Sequence, residues 1–72
     1  MPFVNVRTAK GLLNKKQKTE LCTRLTDVMV EVEGGGNPDF RKLVSILIEE
    51  HDYDSWCLDG LQVSLEAIRK ML

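Results

Sequence analysis

The chain has few of the residues that small domains use for cross-links. It contains two cysteines, Cys22 and Cys57, and a single histidine, His51. The cysteines are too far apart for a zinc-ligand pair, and one histidine cannot complete such a site. We therefore expect both thiols to be free, as in a reducing compartment, and no structural metal.

Long apolar runs and aromatic residues are also scarce. No stretch approaches the ~20 apolar residues that a membrane-spanning helix needs, and the N-terminal residues lack a signal-peptide pattern. We expect a cytoplasmic protein without a membrane partner. The net charge is -1 and aromatics make up 6% of the chain. Because no aromatics interleave with the basic residues, we expect no nucleic-acid partner.

The length allows one domain, residues 1–72. A chain this short buries a small share of its surface and is marginally stable alone. Disulfides, metals and oligomerisation are the usual means of support for such chains. Since the first two are not expected, self-association is the means that remains.

The first half of the chain predicts a strand followed by a long helix. Residues 3–8 (FVNVRT) are rich in residues that favour extended structure. Asn14 and Gln17 form a capping-box pattern, and apolar residues then recur at helical spacing over 15–32. The glycines at 34–36 end this helix, because glycine accepts the left-handed C-terminal cap.

The second half predicts another strand and a short helix. Residues 43–49 (LVSILIE) are apolar on both faces, as expected of a covered strand. The segment 49–56 (EEHDYDSW) reads as a polar loop. After Gly60, apolar residues at helical spacing indicate an amphipathic helix; these are Leu61, Leu65, Ile68 and Leu72.

This order predicts an α+β fold, a β-α-β unit with a short C-terminal helix. A helix of this length between two strands forms a right-handed crossover, so the strands should be parallel. A two-stranded sheet is too small to stand alone. We therefore expect a second subunit to complete the sheet.

Charge is unevenly distributed. Before Glu20 every charged residue is basic, and over 49–59 every charged residue is acidic. These segments could be solvated faces, complementary surfaces between subunits, or an anion site at the basic end. The pattern does not decide among them.

Pro2 directly follows the initiator methionine. A proline is tolerated at the start of a strand, which is a sufficient structural reason for it. If Met1 is removed, however, Pro2 carries a free secondary amine. An α-amino group titrates at ~8 before any perturbation, so Pro2 could act as a general base near neutral pH.

The whole pattern resembles the 4-oxalocrotonate tautomerase family over residues 2–60. The resemblance is carried by Met-Pro, a short strand, Gly11, one long helix, a second parallel strand and the loop aromatic Trp56 before Cys57-Leu58-Asp59-Gly60. It implies that Pro2 is a general base in the enol–keto tautomerisation of a small 2-oxo acid, without metal or cofactor. It also implies that Trp56 lines the active site and that subunits associate as dimers or hexamers.

The chain departs from the family at two positions. Family members that use dicarboxylates have arginines where this chain has Leu12 and Ser45. Arginine suits bidentate carboxylate binding and enolate stabilisation, which leucine and serine cannot reproduce. The replacement cations that we consider are Lys10, which clusters with Lys15 and Lys16 near the start of the long helix, and Arg41. Ser45 could hydrogen-bond a carbonyl. Arg7 is disfavoured, because strand alternation places it on the face opposite Pro2.

These departures keep a second interpretation open. The chain could be a catalytically silent or divergent subunit that uses the fold for oligomer assembly, since fold does not fix function. Removal of Met1 and a cation within reach of Pro2 are the features that discriminate between the two interpretations.

Overall fold

A computed structural model describes residues 2–62 and 64–72. Its main elements are strand β1 (Phe3–Ala9), helix α1 (Lys15–Val32), strand β2 (Ser45–His51) and helix α2 (Leu65–Met71). Two short strands, β3 (Cys57–Leu58) and β4 (Leu61–Gln62), lie between β2 and α2, and 3₁₀ helices span Pro38–Leu43 and Tyr53–Ser55. Within the described ranges, no helix has the length and apolar character needed to span a bilayer.

The sheet confirms the predicted β-α-β unit. β1 and β2 pair in parallel, from Phe3 opposite Ser45 to Ala9 opposite His51. The connection between them contains α1, which provides the length that a parallel crossover requires. The α+β fold with a short C-terminal helix is thus as the sequence predicted.

Helix α1 has the bounds that the capping pattern predicted. The Asn14 side chain accepts a hydrogen bond from the Gln17 backbone at 2.8 Å, and the Gln17 side chain accepts one from the Asn14 backbone at 2.9 Å. At the other end, the Gly36 N–H donates to the Val30 carbonyl at 2.9 Å. Gly36 does so with a φ of 82°, in the region that glycine tolerates.

The second strand lies two residues later than predicted, over Ser45–His51 instead of 43–49. The Asn37 side chain accepts from the Asp39 N–H at 3.0 Å, and Pro38 is the first residue of the 3₁₀ helix. This cap carries the helical turn through Leu43, because proline's fixed φ suits a first helical position. The start of β2 is therefore set by the 3₁₀ helix and its N-cap Asn37, and not by strand propensity.

The C-terminal region also differs from the prediction. Leu61 belongs to β4 and not to the helix, which begins at Leu65 after the N-cap Ser64. β3 and β4 form an antiparallel hairpin around Asp59 and Gly60, which have φ values of 53° and 76°. Positive φ at both turn residues is typical of an Asp-Gly type I′ hairpin, a signal that helical spacing had obscured.

The sheet has one half-buried face and one largely open face. Val4, Val6 and Ile48 alternate with exposed neighbours and are half-buried. On the opposite face, Phe3 is 62% exposed and Leu47 is 45% exposed. In a single chain this apolar surface is uncovered, which supports the expectation of a second subunit.

Gly34 should tolerate no side chain. A Cβ at this position would lie 2.6–2.7 Å from Phe40, including its Cβ and Cγ. We expect Gly34→Ala to lower the free energy of unfolding by about 1–3 kcal/mol through overpacking, measured by urea denaturation. The loss should shrink when Phe40 is also replaced by alanine. An equal loss in both backgrounds would show that Phe40 is not the cause.

Candidate active site

Pro2 and Ser45 lie together at one end of the sheet. Pro2 is half-buried, and the Ser45 N–H donates to its carbonyl oxygen at 3.0 Å. The first β-bridge, between Phe3 and Ser45, follows directly. The pairing of the two strands thus places the Ser45 backbone against the carbonyl of the proline that was predicted to be catalytic.

Arg41 belongs to the 3₁₀ helix that precedes Ser45. Its guanidinium donates to the Asp27 carboxylate of α1 at 2.5 Å. The side chains of this pair are 46% and 59% exposed. Arg41 is therefore already engaged by a carboxylate of its own chain, which reduces its availability for an anionic ligand.

Lys10 and Trp56 lie at the opposite end of the sheet. The Lys10 N–H donates to the His51 carbonyl at 2.9 Å, and the Trp56 indole N–H donates to the same oxygen at 3.3 Å. Pro2 precedes the seven-residue β1, whereas His51 ends β2. At about 3.3 Å per residue, the two groups are separated by roughly 20 Å. One chain therefore does not bring Pro2 and Trp56 together.

A cleft of about 250 Å³ lies beside Trp56. Apolar side chains make most of its wall, and Arg7 is the charged residue among the described residues that line it. The lining residues are Arg7, Thr8, Ala9, Leu12, Tyr53, Trp56, Leu58 and Ile68. Concave, largely apolar walls with a few polar groups are typical of small-molecule sites.

The C-terminal elements build one side of this cleft. The β3–β4 hairpin contributes Leu58 and α2 contributes Ile68. Arg69 of α2 donates to the Gly11 carbonyl at 3.0 Å, which ties the helix to the turn after β1. Gly11 has a φ of 92°, so this turn uses a conformation that glycine readily adopts.

The position of Arg7 was missed by the sequence reasoning. Alternation from Pro2 did separate the two residues, but Arg7 shares its face with Ala9, and that face lies under Trp56. The available signal was the Asp59-Gly60 pair, because a hairpin there returns the chain toward the sheet. Tyr53, Leu12 and Ile68 were likewise not predicted to line a site with Trp56.

Two carboxylates beside the cleft are held in their charged form. The Asn5 amide hydrogen-bonds Glu49 at 3.0 Å and lowers the pKa of that carboxyl, with His51 and Arg7 acting in the same direction. The ammonium of Lys18 hydrogen-bonds Glu50 and lowers the pKa of that carboxyl, helped by the Gly11 backbone and by Lys10. Hydrogen bonds to the ionised form favour ionisation.

These shifts predict a loss of stability in acid. A carboxyl with a lowered folded pKa stabilises the fold above its unfolded pKa, near 4.5 for both groups, and ceases to do so as pH falls through the folded value. We expect the melting temperature to decrease as the pH is lowered below about 4.5. Glu50→Gln should flatten this decline. An unchanged slope in that variant would show that Glu50 does not contribute.

The Tyr53 hydroxyl is buried and has no hydrogen-bond partner within the described part of the chain. An unsatisfied buried hydroxyl destabilises a fold, whereas a satisfied one contributes about 1 kcal/mol. We therefore expect Tyr53→Phe to keep or raise the melting temperature. A lower melting temperature would show that the hydroxyl has a partner, for example in a second subunit.

The chain is similar to known tautomerases along most of its length. Residues 2–66 match the Tautomerase family, described as "Tautomerase enzyme". A probable tautomerase of Dickeya dadantii (strain 3937) is 33% identical over 64 residues, which cover 89% of this chain and 90% of that protein.

Two solved structures share the fold. DmpI from Helicobacter pylori is 26% identical with a TM-score of 0.71, over 86% of this chain and 95% of that one. TomN, a 4-oxalocrotonate tautomerase homologue in the tomaymycin biosynthetic pathway, is 24% identical with a TM-score of 0.75, over 99% of this chain and 97% of that one.

The parallel β-α-β unit and the match over residues 2–66 define an isomerase of the tautomerase type. The chain belongs to the Tautomerase family. This assignment confirms the resemblance and the enzyme class that the sequence predicted.

Proposed function

We propose that this protein is a cofactor-independent tautomerase that interconverts the enol and keto forms of a small 2-oxo acid, with Pro2 as general base after removal of Met1. The observation that carries the proposal is that the family match begins at Pro2 and runs to residue 66. Pro2 is therefore the first residue of the region that matches the family, in addition to being a residue that the start of a strand tolerates.

The chemistry requires only a basic nitrogen and a shielded site. In the keto-to-enol direction, the Pro2 nitrogen takes a proton from the carbon next to the carbonyl. The carbonyl oxygen takes a proton from water, and protonated Pro2 returns its own proton to water, so that no net proton is consumed. The reverse direction returns the proton to carbon. An apolar surrounding disfavours the protonated form of an amine, which keeps the nitrogen available as a base. A general base of this kind contributes about 10²–10⁴-fold to a rate.

The active site that we propose lies between two copies of the chain. Pro2 and Trp56 are at opposite ends of the same sheet. A two-fold pairing of sheet edges sets the beginning of a strand in one copy against its end in the other. Self-association of this kind would bring Pro2 of one copy to the Trp56 cleft of its partner.

The remaining candidate residues divide between the two copies. Ser45, beside Pro2 in its own chain, is our candidate donor to the substrate carbonyl oxygen. Lys10 would reach the site from the partner, together with Trp56. Arg41 is the weakest candidate, because Asp27 already binds its guanidinium.

One observation favours a second candidate function. Leu12 and Ser45 occupy the two positions where the resemblance to dicarboxylate-using family members implies arginine, and Leu12 lines an apolar cleft. A subunit that retains the fold for oligomer assembly, without catalysis, would need no cation at these positions. This alternative predicts no ketonisation by any form of the protein.

The deciding experiment is the ketonisation of phenylenolpyruvate, followed by ultraviolet absorbance, with protein whose mass confirms loss of Met1. Turnover above the rate in buffer supports the tautomerase. A rate equal to that in buffer supports the assembly role. A preparation that retains Met1 is the matched control, because its proline nitrogen is an amide and cannot act as a base.

A further inference from the structure

We propose that Arg7 binds the carboxylate of the substrate and that the cleft selects small acids with one carboxylate and an apolar body. The inference rests on the proposed function for the identity of the ligand as a substrate. The binding site itself is the cleft of one chain, which both Arg7 and Trp56 line.

The guanidinium of Arg7 has hydrogen-bond donors that are available to a ligand. Its Nε lies 3.4 Å from a Glu49 carboxylate oxygen, and its side chain is 69% exposed. Within the described ranges, no hydrogen bond engages its two terminal nitrogens. Glu49 also has contacts with Asn5 at 3.0 Å and His51 at 3.4 Å, so it does not depend on Arg7 alone. The two terminal nitrogens of Arg7 can therefore bind a carboxylate with two parallel hydrogen bonds.

The other cations near the site are less suitable. Arg41 is bound by Asp27, and Lys18 by Glu50. Lys10 lies near Trp56 but is not among the residues that line the cleft. Arg69 is bonded to the Gly11 carbonyl, outside the lining of the cleft. Arg7 is thus the cation that both lines the cleft and keeps its terminal donors available.

The side chains that line the cleft indicate the chemical character of the ligand beyond its carboxylate. Leu12, Leu58 and Ile68 supply aliphatic surface, and Trp56 supplies an aromatic wall. Burial of apolar ligand atoms here is favourable, but a second carboxylate would be desolvated without a partner, which is costly. The cleft therefore favours a monocarboxylate with an aromatic or aliphatic tail over a dicarboxylate. Leucine at position 12 fits this selectivity, because it adds apolar surface where a second cation would otherwise lie.

Equilibrium binding tests this proposal without turnover. The probes are hydrocinnamate, an acid with one carboxylate and a phenyl tail, and its neutral amide. Trp56 is the single tryptophan of the chain, so its fluorescence reports occupancy of the cleft. We expect the acid to bind about tenfold more tightly than the amide, the size of effect given by one charged hydrogen-bonded pair.

Arg7→Gln should weaken hydrocinnamate binding about tenfold and leave amide binding unchanged. Arg24→Gln is the matched control for net charge, since Arg24 is exposed, pairs with Glu20 at 3.6 Å and does not line the cleft. It should change neither affinity. In the kinetic assay, Arg7→Gln should raise KM for phenylenolpyruvate more than it lowers kcat.

Four results would overturn the proposal: no binding of hydrocinnamate to the unaltered protein, unchanged affinity in Arg7→Gln, equal weakening of acid and amide, or an equal effect of Arg24→Gln. Failure of the proposed function is a separate outcome. In that case no form of the protein ketonises phenylenolpyruvate, yet hydrocinnamate still binds and still depends on Arg7.

Discussion

Replacing Pro2 by alanine is expected to lower kcat/KM for phenylenolpyruvate ketonisation at least about 100-fold, the range found when a general base is lost. Alanine keeps a free α-amino group after removal of Met1, but it is a primary amine on a flexible residue. The proline ring fixes φ and holds its nitrogen in one direction. The measurement compares initial rates of mass-verified, Met1-free proteins.

Pro38→Ala is the matched control, because it replaces the other of the two prolines of the chain. Pro38 begins the 3₁₀ helix Pro38–Leu43, so its loss affects local structure and leaves the N-terminus intact. We expect this variant to retain the activity of the unaltered protein. Equal rates for Pro2→Ala and the unaltered protein would exclude Pro2 as the base, even if the enzyme is active.

Joint refolding of two impaired variants should restore activity if the site lies between copies. Trp56→Ala removes the aromatic wall of the cleft and should lower kcat/KM by about tenfold or more, through loss of apolar surface around the base. When Pro2→Ala and Trp56→Ala proteins are unfolded and refolded together, a mixed pair contains one site with both changes and one intact site. Random pairing then gives about a quarter of the activity of the unaltered protein.

The control is the same two proteins refolded separately and combined afterwards. This mixture should show only the sum of the two residual activities, unless subunits exchange. The absence of recovery after joint refolding, with oligomers shown to form, would mean that Pro2 and Trp56 act within the same copy or that Trp56 is not part of the site.

Several features of this protein follow from local sequence signals. The Asn14–Gln17 cap and the apolar repeat predicted the bounds of α1, Lys15–Val32, because both signals act within a few residues of the chain. The parallel pairing of β1 and β2 followed from the length of the connection between them. Pro2, our candidate base, and the loop aromatic Trp56 were singled out from their order and spacing in the sequence.

Other features depended on contacts that no local pattern reports. The start of β2 was predicted two residues early, because strand propensity at 43–44 competes with a cap at Asn37 that carries the 3₁₀ helix through Leu43. The β3–β4 hairpin was missed, because Leu61 also fits the helical spacing of α2. In both segments a turn outweighed the residue preferences beside it.

The separation of Pro2 from Trp56 and the placement of Arg7 could be decided only in three dimensions. Spacing along the chain shows which residues are present, and strand alternation shows which face each occupies. Which face the C-terminal hairpin and α2 cover depends on where they dock, through contacts such as the Arg69 bond to the Gly11 carbonyl. Local preferences therefore specified the main helix and the paired strands, whereas long-range packing decided that Arg7 lies in the cleft of Trp56, at the far end of the sheet from Pro2.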